Sequence, residues 1–309
     1  MSLAPVVLFV YNRPLHTLHT LQALSNNDLA NQTDLIIYCD GPKEDTSTDN
    51  LNKVAEVRKL IRSTNWCKTV TIYESNVNKG LANSIIYGVT QVISTYHKII
   101  VLEDDIIIRN NFLKYMNDAL NFYENCERVM QISGYQYPIK LRYLKYNTVL
   151  HRRATSWGWA TWKRAWDYFN PDIQNIIASF SPSEIYKFNI NGCNNRYNML
   201  LLQQKNEIDS WAIRWGASIH LNNGLVVWPI SSLIENIGHD GSGTHCSNIG
   251  KLPEEVICRD INTFSFPTKI EENKYYLFAI KKYYSDFKSL GIFQKLRFYK
   301  RHLIQLLFS

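Results

Sequence analysis

The sequence predicts an α/β fold: a mainly parallel sheet flanked by helices. Three observations predict it. Short runs of aliphatic and β-branched residues alternate with stretches of helical periodicity through residues 5–133. Most of these runs are continuously apolar, the pattern of strands covered on both faces. The run over residues 98–108 carries three consecutive acids, Glu103, Asp104 and Asp105, and an open α/β sheet places its ligands at the carboxyl ends of its strands.

In chain order, residues 5–11 are a buried-type strand, broken by Asn12, Arg13 and Pro14, and residues 16–24 have helical spacing. A second strand over 34–40 stops at Gly41 and Pro42. Residues 50–61 are helical and 68–74 a third strand. The spacing predicts a helix over 81–96 with an apolar face, then a fourth strand over 98–108. A helix over 111–123 puts Phe112, Tyr115, Met116 and Leu120 on one side, and residues 129–133 are another short strand. The pattern then changes. Four tryptophans, Trp157, Trp159, Trp162 and Trp166, crowd into one segment, with Trp162 and Trp166 spaced for one helical face and assigned to the core. Helices follow over 194–206 and 210–221, a strand over 225–229, and a glycine-rich loop over 238–245.

Composition bounds the function. Length and a hydrophobic content of 45% suit a soluble globular chain with a sizeable core. The formal charge of +7 is uneven. From residue 281 onward there are seven basic residues and one acid, so the body is nearly neutral and no nucleic-acid partner is expected. The six cysteines form no CxxC pair, which argues against a thiolate zinc site and a dense disulfide framework. No secretory signal and no apolar run of membrane-spanning length is visible. A cytoplasmic setting is the expectation. Phe293, Leu296, Lys300, Leu303, Ile304 and Leu307 fall near one helical face, with basic residues at its rim. Such a basic amphipathic tail can lie on an anionic membrane, here the inner face; docking on the body or on a second subunit is the alternative.

The strand ends carry the candidate chemistry. Adjacent carboxylates repel and are costly to desolvate, and a hard divalent cation relieves both problems. Asp105, furthest from the strand, is the candidate metal ligand; Asp104 could hold a ribose or a bridging water. Arg13 after the first strand and Asp40 ending the second add a cation and an acceptor along the same edge. Lys79 sits where a helix opens and could meet an anion.

The ordered set Tyr11-Asn-Arg-Pro14, Cys39-Asp-Gly41, Asn78-Lys-Gly-Leu81, Val101-Leu-Glu-Asp-Asp105 and Trp157-Gly-Trp159 resembles GT-A-fold glycosyltransferases. It is most similar to the N-acetylglucosaminyltransferase I type and to related bacterial sugar transferases. The resemblance covers roughly residues 5–250. It implies a UDP-sugar donor, manganese or magnesium, inversion at the anomeric carbon, and a glycan or lipid-linked acceptor, as in bacterial surface polysaccharide synthesis. It further implies that Arg13 and Asp40 contact the uridine end, that Glu103 and Asp104 contact sugar and ribose, and that Asp105 binds the metal. Asp209 falls at the family's general base, with helix N-capping as its other reading and Glu207 as its rival. Trp157 is the candidate sugar platform and His245 a candidate late-loop metal ligand, with His239 and Asp240 beside it. Ser210 departs from the family, which has an acid there. On this reading residues 1–265 are the GT-A domain, with a nucleotide-sugar half to about 135 and an acceptor half over 136–265. Residues 266–309 are the helical tail. A sugar-phosphate nucleotidyltransferase is disfavoured, because its glycine-rich basic loop is replaced by Tyr11-Asn-Arg-Pro14. A non-catalytic membrane-surface module leaves the acids without a task.

Overall fold

The computed structural model describes residues 2–142, 144–238 and 263–289, the last four of these without their side chains. Strands β1 (Val6–Val10), β2 (Asp34–Cys39), β3 (Thr69–Glu74) and β4 (Lys98–Glu103) pair side by side in parallel, with β1 between β2 and β4. Each crossover carries a helix: α1 (Pro14–Ser25), α2 (Thr48–Leu60) and α3 (Leu81–Tyr96). Pro14 at the first helical position pre-sets the backbone for α1. Ser47 caps α2 by accepting from the Asn50 amide. The apolar face of α3 buries Ile85, Val89, Val92 and Ile93. Its span matches the expectation from periodicity, because an amphipathic helix encodes its packing face locally.

The run over 98–108 is not one strand. A turn at Asp104 and Asp105 divides β4 from β5 (Ile106–Ile108). β5 leaves the main sheet and pairs antiparallel with β10 (Ile234–Asn236). The acids are therefore a corner between two sheets, a placement set by a partner strand more than a hundred residues away.

The main sheet has eight strands in the order β3-β2-β1-β4-β8-β6-β9-β7. Its second half comprises β6 (Val129–Ser133), β7 (Thr148–His151), β8 (Trp159–Trp162) and β9 (Leu225–Pro229). β8 runs antiparallel between β4 and β6, and β7 antiparallel on β9, while β6 and β9 are parallel. The sheet is thus mixed, with only β7 and β8 opposing the rest. Trp162 ends β8 and Trp166 ends the short helix α5 (Lys163–Trp166), so they do not share a helix; both are core, as expected.

Helix α4 (Phe112–Phe122) buries Phe112, Tyr115, Met116 and Leu120 together. The small helices α6 (Ile173–Ala178) and α7 (Pro182–Phe188) join α8 (Arg196–Gln204) and α9 (Trp211–Leu221) around a satellite core of Ile176, Phe180, Phe188, Leu200, Ile213 and Ala217. Helix α10 (Lys274–Ser289) sends Tyr276 and Ile280, both fully buried, into the main core, where Tyr276 donates its hydroxyl to Gln136. The start of the segment read as a tail is thus packed on the body. The amphipathic face over 293–307 lies outside the described residues, as do His239, Asp240 and His245. Among the described residues no helix is long and apolar enough to cross a membrane.

Candidate functional site

The chain lays down β1, β2 and β3 in one direction and then returns to place β4 on the other flank of β1. In open α/β sheets the crevice at such a reversal, outside the carboxyl ends, is where ligands bind. Arg13 follows β1 and Asp104–Asp105 follow β4, so these residues meet at the reversal. Arg13 donates Nε to Asp104 Oδ2 at 3.3 Å and Nη2 to Asp104 Oδ1, and its Nη1 lies 3.1 Å from Asp105 Oδ2. One planar guanidinium thus spans both acids. Thr20 of α1 donates to the Asp104 carbonyl at 2.8 Å, tying the turn to the same helix.

These groups are poorly hydrated: the side chains of Arg13, Asp104 and Asp105 are 17%, 5% and 13% exposed. Burial works against the Arg13 charge, but Asp104 and Asp105 outweigh it and its pKa is raised. Burial lifts the Asp104 carboxyl, partly opposed by Arg13. Glu103 is pushed up to about 8, by burial first and then by Asp105 and Asp104. One guanidinium therefore faces three acids, a local excess of negative charge.

Asp40 serves a different neighbour. Its carboxylate accepts from the backbone amides of Gly41 at 2.9 Å, Lys79 at 2.9 and 3.2 Å, and Gly80 at 3.0 Å. The anion at the amino end of α3 is the protein's own, and it fastens the end of β2 to the loop before the helix. The Lys79 ammonium lies over the Tyr87 ring, 4.7 Å from its centroid. Lys79 and Tyr87 border a groove of about 470 Å³ on the sheet face beside α3, with Tyr38, Tyr73 and Tyr96 also in its wall. The structure thus brings Arg13, Asp104 and Asp105 into contact and puts Asp40 and Lys79 at the neighbouring strand end.

Aromatic packing leads from β4 toward Asp209. Trp159 pairs with Val101 across β8 and β4, and Trp157 lies two residues before it. Trp157 is half-buried in the loop before β8, its ring 4.8 Å from that of Tyr135 in an edge-on contact. Trp159 in turn stacks on Trp211, ring centroids 5.1 Å apart, at the start of α9. Asp209 stands just before that helix and is 58% exposed. It does not cap α9; Ser210 does, accepting from the Ile213 amide. The Asp209 carboxylate instead takes Arg214 Nη2 at 2.9 Å and Gln203 Nε2 at 3.4 Å. Asp209 makes no contact with Asp104 or Asp105; stacked tryptophans link its helix to their strand.

Sequence reasoning missed Arg214, Gln203 and Thr20. It also missed the approach of Ile237 and Gly238, which follow β10. Ile237 donates to the Asp105 carbonyl at 2.9 Å, and a Cβ at position 238 would lie 2.1 Å from Asp105 Oδ2. Only glycine fits so close to that carboxylate. An i to i+4 spacing could have flagged Ser210 and Arg214; nothing local could have flagged Gly238.

Among the described residues no three His, Cys, Asp or Glu side chains are placed to hold a metal by themselves. A magnesium-type cation asks less of a protein, taking one or two carboxylates and completing its shell with phosphate and water. Asp105, with one oxygen on Arg13 and partial exposure, fits that smaller demand.

No protein-family model matches the chain, and no curated protein matches it. Among solved structures, it aligns with Staphylococcus aureus TarS residues 1–349 at 12% identity and a TM-score of 0.38. That match covers 72% of this chain and 57% of the other. The same fragment in complex with UDP aligns at 13% identity and a TM-score of 0.35, covering 59% and 51%. A putative nucleotide-diphospho-sugar transferase from Desulfovibrio desulfuricans G20 aligns at 12% and 0.30, covering 56% and 68%. The chain thus matches little more than half the length of the first of these. Likenesses of this size carry no argument about the site, and the functional reading rests on the geometry above.

Proposed function

We propose that the chain is a metal-dependent, inverting glycosyltransferase of the GT-A type. It moves a hexose or N-acetylhexosamine from a UDP-sugar to a glycan or lipid-linked acceptor, in bacterial surface polysaccharide synthesis. The observation that carries the proposal is the Arg13 bridge to Asp104 and Asp105 at the reversal of strand order. A nucleotide diphosphate calls for a fixed cation, acceptors for ribose and sugar hydroxyls, and a place for a metal, all at one strand edge.

In this reading Asp105, with His245 as the second expected ligand, would hold Mn2+ or Mg2+ for the diphosphate. The cation would supply positive charge to the departing UDP. Asp104, oriented by Arg13, accepts from ribose. Glu103, at the end of β4 beside them, contacts a hydroxyl of the sugar. Asp40 and Lys79 border the uridine end, and Trp157 offers a ring face to the sugar. The exposed Asp209 carboxylate, aimed by Arg214 and Gln203, takes the acceptor hydroxyl's proton. The hydroxyl oxygen bonds to the anomeric carbon as the bond to UDP breaks, and the electron pair leaves with the diphosphate.

Thermal melting with UDP, with and without Mn2+, tests the reading. A ligand at about a hundred times its Kd adds about 2.7 kcal/mol, several degrees in Tm. Stabilisation by UDP and Mn2+ together, lost in Asp105→Asn, is the expected result. Indifference to UDP in both conditions would sink the proposal.

A further inference from the structure

Outside the site just described, two arginines lie near one another and pair with no described carboxylate. Arg153 lies in the segment between β7 and β8, and Arg196 opens α8. Gly216, inside α9, faces both Arg196 and the residue that follows Arg153. A Cβ there would come within 2.5 Å of Arg196 Nη2 and 3.6 Å of the Ala154 Cβ. Glycine weakens a helix interior, and here the missing side chain is the space the Arg196 guanidinium fills.

Both guanidiniums rest on aromatic faces. Arg153 lies 5.3 Å from the ring centroids of Tyr137 and Tyr284, and Arg196 lies 4.7 Å from that of Phe188. Neither makes an ion pair with any described carboxylate. Glu272, the acid in the neighbourhood, is held by Arg152 at 2.6 and 2.8 Å. Arg153 Nη1 is buried with no hydrogen-bond partner, and Arg196 is only 8% exposed. Burial, and then the charge of Arg153, lowers the Arg196 pKa to about 9. Cation–π contacts offset only part of the desolvation of two like charges, and an unmatched buried donor adds to the cost. The missing element is an anion.

We propose that Arg153 and Arg196 form an oxyanion-binding subsite that grips a phosphate or carboxylate carried by the acceptor. The aromatic chain supports the assignment to the acceptor. The Trp157 ring lies 4.8 Å from Tyr135, Tyr135 lies 5.2 Å from Tyr137, and Tyr137 carries Arg153. The subsite thus adjoins the candidate sugar platform. Paired guanidiniums suit a planar or tetrahedral oxyanion, which accepts from both forks. That the anion belongs to the acceptor rests on the transferase reading; that the pair binds an oxyanion does not.

Thermal melts of the full chain at constant ionic strength, with inorganic phosphate and separately with glucuronate, test this. At ten times its Kd, a bound anion should raise Tm by about 2 °C. A response to phosphate alone marks a phosphorylated acceptor, and one to glucuronate alone an acidic sugar. Arg153→Gln and Arg196→Gln should each abolish the response while keeping the shift with UDP and Mn2+. Arg196→Lys, which keeps the charge and loses the fork, should weaken it, and this variant serves if a Gln variant does not fold. No response of the unmodified chain to either anion in the melt or by calorimetric titration, or an undiminished response in the variants, overturns the subsite. Anion binding without any response to UDP would overturn the transferase reading and leave the subsite standing.

Discussion

At the reversal of strand order, Arg13 reaches two carboxylates; beyond β8, Arg153 and Arg196 reach tyrosine and phenylalanine faces instead. The two halves of the sheet thus handle a buried guanidinium in opposite ways. Where the opposite charge is built in, the site is pre-assembled and its groups are already oriented for a ligand. Where no described carboxylate pairs with the cations, the fold tolerates two repelling charges, and a ligand has something to supply. Under the proposed function the difference is a division of labour: a preformed edge for the nucleotide, and a cluster of aromatic and basic residues for an anionic acceptor.

The largest effect expected is at Asp209. Asp209→Asn should cut UDP release from a UDP-sugar in the presence of acceptor by about 10²–10⁴-fold. The UDP and Mn2+ shift in Tm should stay unchanged; a variant retaining full turnover would move the base elsewhere, with Glu207 the next candidate. Removing the matched cation comes next. Arg13→Ala leaves Asp104 buried without its partner and should cost about 3–5 kcal/mol in a urea titration. If Arg153→Ala costs as much, the contrast between the halves fails, because Arg153 leaves no carboxylate behind.

A third prediction concerns His151 at the end of β7, fully buried, its pKa lowered to about 3 by burial in spite of Glu272. Its folded value lies below the usual 6.5, so the unfolded chain binds the proton first as pH falls. Its contribution to stability is complete above about 6.5 and is lost toward pH 3, with a slope of at most about 1.4 kcal/mol per pH unit. His151→Gln should flatten that part of the stability profile; an unchanged slope would mean that His151 is protonated in the fold. The smallest effect is local. Ser210→Ala removes the cap of α9 and should cost about 1 kcal/mol. Turnover should remain, which separates capping from the proton transfer assigned to Asp209.

The legible part of the fold lies where structure is local. Helix α3 shows its span through the spacing of Ile85, Val89 and Val92, and β1, β2 and β4 show themselves as unbroken apolar runs. The edge strand β3, with its exposed Tyr73, was readable from its β-branched residues. The acids at the end of β4 were legible as a candidate site because adjacent carboxylates repel and are costly to desolvate. Hidden were β7 and β8, whose four-residue spans have too little pattern to stand out, and the true neighbour of Asp40, which depends on backbone amides rather than side chains.

Local order of apolar and polar residues was enough to determine an α/β chain with acids at a strand end and an arginine after the first strand. It was enough because periodicity and charge are properties of neighbouring residues. Only the tertiary structure decided that Arg13 bridges Asp104 and Asp105, that β5 turns away to pair with β10, and that Arg196 fills the gap left by Gly216. Each of these joins segments far apart in the chain, and their meeting is set by how strands pair and helices pack, which no short window of sequence records.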